Sequence, residues 1–334
     1  MLPLPQCLSR PDGPLARMRR TRAAAAALAA LALLACSEAP TSQAPVSDPA
    51  SRREAPAGPV VGFVDGYGAH AWKGIPYAAP PVGERRWRPP TAAPRWSAVR
   101  EALRSGAVCP QLASPLGGVP EQEPGTLAGQ EDCLTLDVYA PRLAPEAVAE
   151  AGLPVMVWIH GGGNTIGTAR FYEGGRLAAE QQVLVVMANY RLGPFGWFRH
   201  PALAGADASP AARSGNWGTL DLIQVLRWVR ENAAAFGGDP AKVTIFGESA
   251  GGTNVVSLLA SPLARGLFHR AIVQSGSARA STADESVQAV DAEPPGHPRS
   301  SEEVLRALLV EAGRAPDRSG AAKRIASMTP EEIA

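Results

Sequence analysis

The sequence predicts an α/β fold in which a mainly parallel central sheet is flanked by helices. Three observations carry that prediction. Four short apolar runs, rich in β-branched and aromatic residues, recur between residues 153 and 274. Runs of this kind suit strands buried on both faces of a sheet. A long helical stripe separates the second run from the third, which is the alternation of a βαβ chain. The bulk composition agrees: 46% of the 334 residues are apolar and 19% charged, enough to build a core.

The elements follow in chain order. Met18-Arg-Arg-Thr-Arg22 is a basic segment, and Ala23 to Ala35 is an apolar run of 13 residues, too short to span a bilayer as a helix. The run ends in Leu33-Leu-Ala-Cys36. This resembles the bacterial lipobox, in which a signal peptide is cut before a cysteine that carries lipid. The expectation is a signal peptide over residues 1–36, with Met18 the better start and Cys36 lipidated. A plain secretory signal is the alternative. The product is then exported, as a bacterial cell-envelope lipoprotein of the periplasm or outer membrane, or secreted. Membrane contact is expected only through that anchor. Residues 37–58, rich in Ser, Pro, Ala and Glu without apolar periodicity, read as a disordered tether. One domain is expected over 59–334.

Within that domain Leu153–Ile159 and Val183–Asn189 are the first two expected strands. Leu222, Val225, Leu226, Val229 and Ala233 then fall at the i, i+3, i+4, i+7 and i+11 positions of one buried helical face. Gly237-Gly238 ends this helix, and Asp239-Pro240 turns the chain into a third strand, Val243–Phe246. A further helix runs from Gly251 to about residue 260, and Ala271–Gln274 is the fourth strand. Val304, Leu305, Leu308 and Leu309 mark a helix over 301–313, and Thr329-Pro-Glu-Glu332 has the residues of a helix start. The partners of these last two helices are expected outside this chain.

The net charge is +1, from 32 basic and 31 acidic residues, which gives no support to nucleic acid as a partner. None of the four cysteines, Cys7, Cys36, Cys109 and Cys133, lies in a C-x-x-C pair, so no zinc ribbon or thioredoxin-like motif is indicated.

Two motifs carry chemistry. Gly247-Glu-Ser249-Ala-Gly251 lies between a predicted strand and a predicted helix, the context of a nucleophile elbow. So tight a turn admits only small residues at its flanks and lifts the serine hydroxyl above the sheet. His160-Gly-Gly-Gly163 follows the strand Leu153–Ile159. Glycines there leave backbone N–H groups free to point at a developing oxyanion. A phosphate loop is the competing reading. It fails because G-x-x-x-x-G-K-[ST] is absent and G-x-G-x-x-G does not fit.

Over roughly residues 60–277 the chain resembles the type-B carboxylesterases, a group that includes cholinesterases and bacterial para-nitrobenzyl esterases. The resemblance rests on Lys73-Gly-Ile-Pro-Tyr-Ala-Ala-Pro-Pro-Val-Gly83, Glu131-Asp-Cys-Leu134, Trp158 to Gly163 and Asn189-Tyr-Arg-Leu-Gly-Pro-Phe-Gly196. It continues through Gly215-Asn-Trp-Gly218, Asp221, Phe236 to Gly252 and Phe268 to Ser277. It implies an α/β-hydrolase fold and a serine ester hydrolase that needs no metal and no organic cofactor. Its substrates would be small or medium apolar esters; protein partners are not readable. Ser249 would be the acylated nucleophile, and the N–H groups of Gly162, Gly163 and Ala250 the oxyanion hole. Glu248 would tune the site's electrostatics, and Ser275 would hydrogen-bond the acidic triad member. Cys109 and Cys133 match a pair that closes a loop near the site mouth; two buried thiols are the alternative.

Other residues read structurally. Trp72, Trp87, Trp96, Trp217 and Trp228 are expected in the core or in a gorge wall. His160 is expected to orient the oxyanion loop. His269 belongs to a structural block, and His70, His200 and His297 match no catalytic motif.

A serine nucleophile needs a base, and the base an orienting carboxylate, in the order Ser, acid, His in this fold. In the resembled family both lie further beyond the serine than the 85 residues that follow Ser249. No matching block appears between Ser277 and Ala334. The expectation is therefore an incomplete, C-terminally truncated esterase, poorly stable and far less active than a complete one. The chief alternative is a catalytically dead binding or adhesion protein of the cell envelope on the same fold. A lipase or peptidase is a third reading that the type-B blocks oppose.

Overall fold

The computed structural model describes residues 44–203, 209–278, 280–317, 320–321 and 324–333. The expected signal peptide, Cys7 and Cys36 lie outside the described residues.

A seven-stranded sheet organises the chain. Its strands are Phe63–Val64 (β1), His70–Pro76 (β2), Thr135–Ala140 (β3), Leu153–Ile159 (β4), Leu184–Ala188 (β5), Gly238–Glu248 (β6) and Arg270–Gln274 (β7). Their spatial order is β7-β6-β4-β5-β3-β2-β1. The four strands expected from the apolar runs are β4 to β7, and all neighbours among them pair in parallel. The other three pairings, β5 with β3, β3 with β2 and β2 with β1, are antiparallel. The sheet is therefore mixed, where a mainly parallel one was expected. Its antiparallel half escaped the sequence because its strands are not continuous apolar runs. β2 carries Lys73 and Gly74 at a register shift, and β3 buries Asp137, whose carboxylate accepts from Gly74 N at 2.8 Å.

Regular structure is also present before the boundary expected at residue 59. Pro49–Ser51 forms a 3₁₀ turn capped by the Asp48 side chain, and Arg53–Ala55 pairs antiparallel with Gly58–Val61. Ser51 is buried: its hydroxyl accepts from Gly62 N at 2.7 Å, and its carbonyl accepts from Trp72 Nε1 at 2.8 Å. Residues 48–58 are therefore folded and not part of a tether; three-residue elements are too short to show periodicity in a sequence.

Three helices complete the layers: Gly175–Gln181 (α1), Trp217–Asn232 (α2) and Ala250–Ala260 (α3). The stripe of α2 buries Leu222, Val225, Leu226 and Val229 in one cluster with Val155 and Val157 of β4, Val186 of β5 and Ile245 of β6. The chain leaves the 3₁₀ continuation Ala233–Phe236 through Gly237, whose φ of +88° suits glycine. Behind this core Arg191 and Asp221 form a bidentate ion pair, with N···O distances of 2.8 and 2.7 Å and almost no exposure. It fixes the segment after β5 to α2.

The C-terminal segment does find partners within this chain, which corrects the expectation that they lie elsewhere. Ser301–Leu305 (α4) widens into a π-helical turn over Arg306–Val310. Leu305, Leu309, Met328 and Ile333 are buried in a second cluster with Trp87, Phe195, Phe198 and Trp217. Arg86 reinforces it, pairing with Glu131 and donating to the Met328 carbonyl. Trp72 and Trp228 lie in the main core and Trp96 packs against it, so the tryptophans are structural as expected. Among the described residues no helix is long and apolar enough to cross a membrane.

Candidate active site

Ser249 stands alone between the end of β6 and the start of α3. Its backbone is strained, with φ +56° and ψ −121°, a combination that side-chain-bearing residues adopt only when their surroundings enforce it. Here Ser249 N donates to Gln274 O of β7 at 2.9 Å, and Ser249 O accepts from Thr253 N at 3.0 Å. The flanking glycines are required by close approach. A Cβ at Gly247 would stand 2.6 Å from the Gly251 carbonyl carbon, and one at Gly251 would stand 2.1 Å from Ile159 O. The turn thus holds a strained, exposed serine at the carboxyl end of the parallel strands, where open α/β sheets carry their sites.

The glycine loop after β4 lies against this elbow. A Cβ at Gly161 would stand 2.8 Å from Glu248 O and 3.4 Å from Ser249 Cβ. Gly162 and Gly163 take φ of +97° and +64°, and Gly162 O accepts from Thr165 N and Ile166 N. Among the described residues the N–H groups of Gly162 and Gly163 donate to no protein acceptor. Ala250 opens α3, so its N–H has no intrahelical partner, and the positive end of the helix dipole lies beside Ser249. The expected oxyanion donors and the nucleophile are thus neighbours. Asn164, at φ +59°, ties the loop to α3: Asn254 Nδ2 donates to Asn164 Oδ1 at 2.9 Å, and Asn164 O accepts from Gly193 N at 2.7 Å.

His160 supports the loop as expected. Its ring is buried and stacks on Tyr190 at 4.3 Å between centroids; Nδ1 lies 2.9 Å from Gly161 O, and His160 O accepts from Tyr190 Oη at 2.6 Å. Burial pulls its pKa down to about 4, so it is neutral near pH 7 and Nδ1–H is the donor to Gly161 O. The other histidines are engaged away from Ser249. His70 meets Asp48 and Arg53, and His200 meets Glu302. Nδ1 of His269 and of His297 accepts a backbone N–H. Among the described residues, therefore, no histidine is hydrogen-bonded to Ser249.

Glu248 is exposed, with Oε2 within 3.1 Å of where a Gly161 Cβ would be. Its charge adds to the burial that raises the pKa of Tyr172. Ser275 follows β7 at φ +53° and is exposed. Its neighbour Gly276 packs on Gly252 of α3, so Ser275 sits beside the elbow's helix without bonding to Ser249. Cys109 and Cys133 form a disulfide, which removes the alternative of two buried thiols. Among the described residues no group of His, Cys, Asp and Glu could hold a metal ion. The polar supports Gln111, Asn164 and Asn254 were not singled out from the sequence. For Asn254 a signal existed, an amide on the apolar face of α3 beside Val255 and Leu258.

Comparison with known proteins places these features in context. A model of the carboxylesterase family matches residues 50–293. The para-nitrobenzyl esterase of Bacillus subtilis (strain 168) is 45% identical over 225 residues, which are 66% of this chain and 42% of that protein. A cocaine esterase of Oryctolagus cuniculus is 45% identical over 62% of this chain and 38% of its own length. A fumonisin B1 esterase of Sphingopyxis macrogoltabida is 42% identical over 70% of this chain and 41% of its own. Among solved structures, a thermophilic PNB esterase superposes with a TM-score of 0.67 at 37% identity, covering 85% of this chain and 52% of that one. The chain thus spans about two fifths of the length of these curated relatives.

Proposed function

The chain belongs to the carboxylesterase family, and from that premise we propose that it carries the nucleophilic half of a carboxylic ester hydrolase active site. One observation bears most of the weight: the Gly161–Gly163 loop lies against a strained, exposed Ser249. Ser249 Oγ attacks the ester carbonyl, and the N–H groups of Gly162, Gly163 and Ala250 receive the oxyanion. A base carries the hydroxyl proton to the departing alcohol, which leaves an acyl-serine; water, deprotonated by the same base, then releases the acid, and the proton returns to Ser249 Oγ. We read Glu248, exposed beside the elbow, as the source of a negative field there, and Ser275, exposed beside the elbow's helix, as the residue that would hydrogen-bond the acid of a complete triad. The activities for which two relatives are named, on para-nitrobenzyl esters and on cocaine, support small or medium apolar esters as the substrate class.

None of the five histidines is hydrogen-bonded to Ser249, and His160 is taken up by the oxyanion loop itself, so we read the described residues as lacking the general base. Turnover by these 334 residues alone is then far below that of the curated relatives, resting on the oxyanion donors. A diffusible base replaces the missing one in the test. An alkyl fluorophosphonate with added imidazole should label Ser249 covalently, read by peptide mass, and leave Ser249→Ala unlabelled. No labelling of the native chain under these conditions would overturn the assignment and favour a binding or adhesion protein on the same fold.

We also propose export with lipid on Cys36. The basic and apolar segments before it support this, as does the disulfide between Cys109 and Cys133, a bond that persists in oxidising compartments. Expression in a bacterial host with a radiolabelled fatty acid should mark the native chain and leave Cys36→Ala unmarked.

A further inference from the structure

The loop closed by the disulfide reaches the oxyanion loop through one side chain. Gln111 lies two residues after Cys109, in a short antiparallel pair with Ala128, and is 4% exposed. Its amide makes a peptide-like pair with a single residue of the oxyanion loop. Oε1 accepts from Gly167 N at 2.8 Å, and Nε2 donates to Gly167 O at 3.0 Å. Nε2 also donates to Cys109 O at 3.0 Å, which fixes the amide to its own loop. Every acceptor and donor is satisfied in one orientation of the amide.

Gly167 is a sensitive place to hold. It sits at φ +126°, and a Cβ there would stand 2.3 Å from His160 Nδ1 and 2.8 Å from Gly161 O. The preceding residue, Ile166, donates its N–H to Gly162 O, and its own carbonyl presses to 2.1 Å of where a Gly162 Cβ would be. Fixing Gly167 therefore fixes the return limb of the loop against the limb that carries Gly162 and Gly163. Two further contacts seat the same surfaces: Arg170 pairs with Glu121, and the Phe171 ring lies over Gly117.

We propose that Gln111 is a positioning residue for catalysis, which aims the oxyanion N–H groups by clamping Gly167 to the disulfide-closed loop. This rests on the reading of Ser249 and the Gly162–Gly163 donors given above. Donors that drift from the oxyanion position lose transition-state stabilisation and leave ground-state binding nearly unchanged.

The test compares the native chain with Gln111→Met, which keeps the volume and loses the hydrogen bonds, and Gln111→Glu, which keeps one acceptor and loses both donors. Two readouts are taken. The first is fluorophosphonate labelling of Ser249 with imidazole present, resolved into a maximal inactivation rate and a half-saturating concentration. The second is amide hydrogen exchange of residues 160–168, referenced to α2. The expected result is a maximal rate lowered about tenfold or more, a half-saturating concentration changed less than about twofold, and faster exchange confined to the loop. An unchanged maximal rate together with unchanged loop exchange overturns the proposal. So does faster exchange spread equally over α2, which would make Gln111 a general stabiliser. If the native chain is not labelled, the Ser249 reading fails, and the exchange comparison still decides whether Gln111 clamps the loop.

Discussion

At Ser249 the identity of a few residues decides the backbone, and the backbone decides the chemistry. The elbow was legible because its demands are local: a Cβ at position 247 or 251 would strike backbone atoms that cannot move. The glycines proposed to form the oxyanion hole were legible through their backbone: Gly162 and Gly163 both take positive φ, and a Cβ at Gly162 would strike Ile166 O. The amides that hold the loop were not, because Gln111 and Gly167 are 56 residues apart and Asn164 and Asn254 are 90 apart. Nothing in a linear pattern pairs them. His160 was placed correctly as a support, and its burial has a consequence for stability. Its folded pKa of about 4 lies below the ordinary value of 6.5, so the unfolded chain binds the proton more readily. The contribution of the neutral ring is therefore complete above about pH 6.5 and is lost as pH falls toward 4. A shift of that size corresponds to about 3 kcal/mol. Denaturant titrations at pH 7 and pH 4 should show the native chain losing more stability than His160→Asn by an amount of that order. Equal losses would mean that His160 is not buried as described.

At the level of elements, strands β4 to β7 and helix α2 could be read from apolar runs and a helical stripe. The antiparallel half could not. Its strands carry charged residues whose partners come from distant segments, such as Asp137 of β3 bonded to Ser105 and to Gly74 N. The same holds for the Arg191–Asp221 pair, which joins the segment after β5 to α2 with both charges buried. Removing one partner strands the other charge. Asp221→Ala should cost roughly 3–5 kcal/mol, whereas replacing both residues by apolar ones of similar volume should recover most of that loss. Thermal or denaturant unfolding of the three proteins checks this. A double variant no better than Asp221→Ala would show that the pair has a role beyond neutralising its own burial.

Across the whole molecule two apolar clusters matter, and only the larger was foreseen. The sheet core follows from the runs and the α2 stripe. The smaller cluster joins Trp87, Phe195, Phe198 and Trp217, from the first two thirds of the chain, to Leu305, Leu309, Met328 and Ile333. Short helices with three or four apolar residues do not announce in the sequence where they dock, which is why their partners were expected outside the chain. That docking has an optical consequence. Two indoles that are at most 3% exposed are shielded from water in part by side chains of the last 34 residues. Ile333→Asp should loosen this cover, shift the tryptophan emission to longer wavelength and leave the far-ultraviolet circular dichroism of the sheet nearly unchanged. The chain thus carries its own fluorescent gauge of whether its C-terminal segment is seated, readable at submicromolar concentration without any added dye.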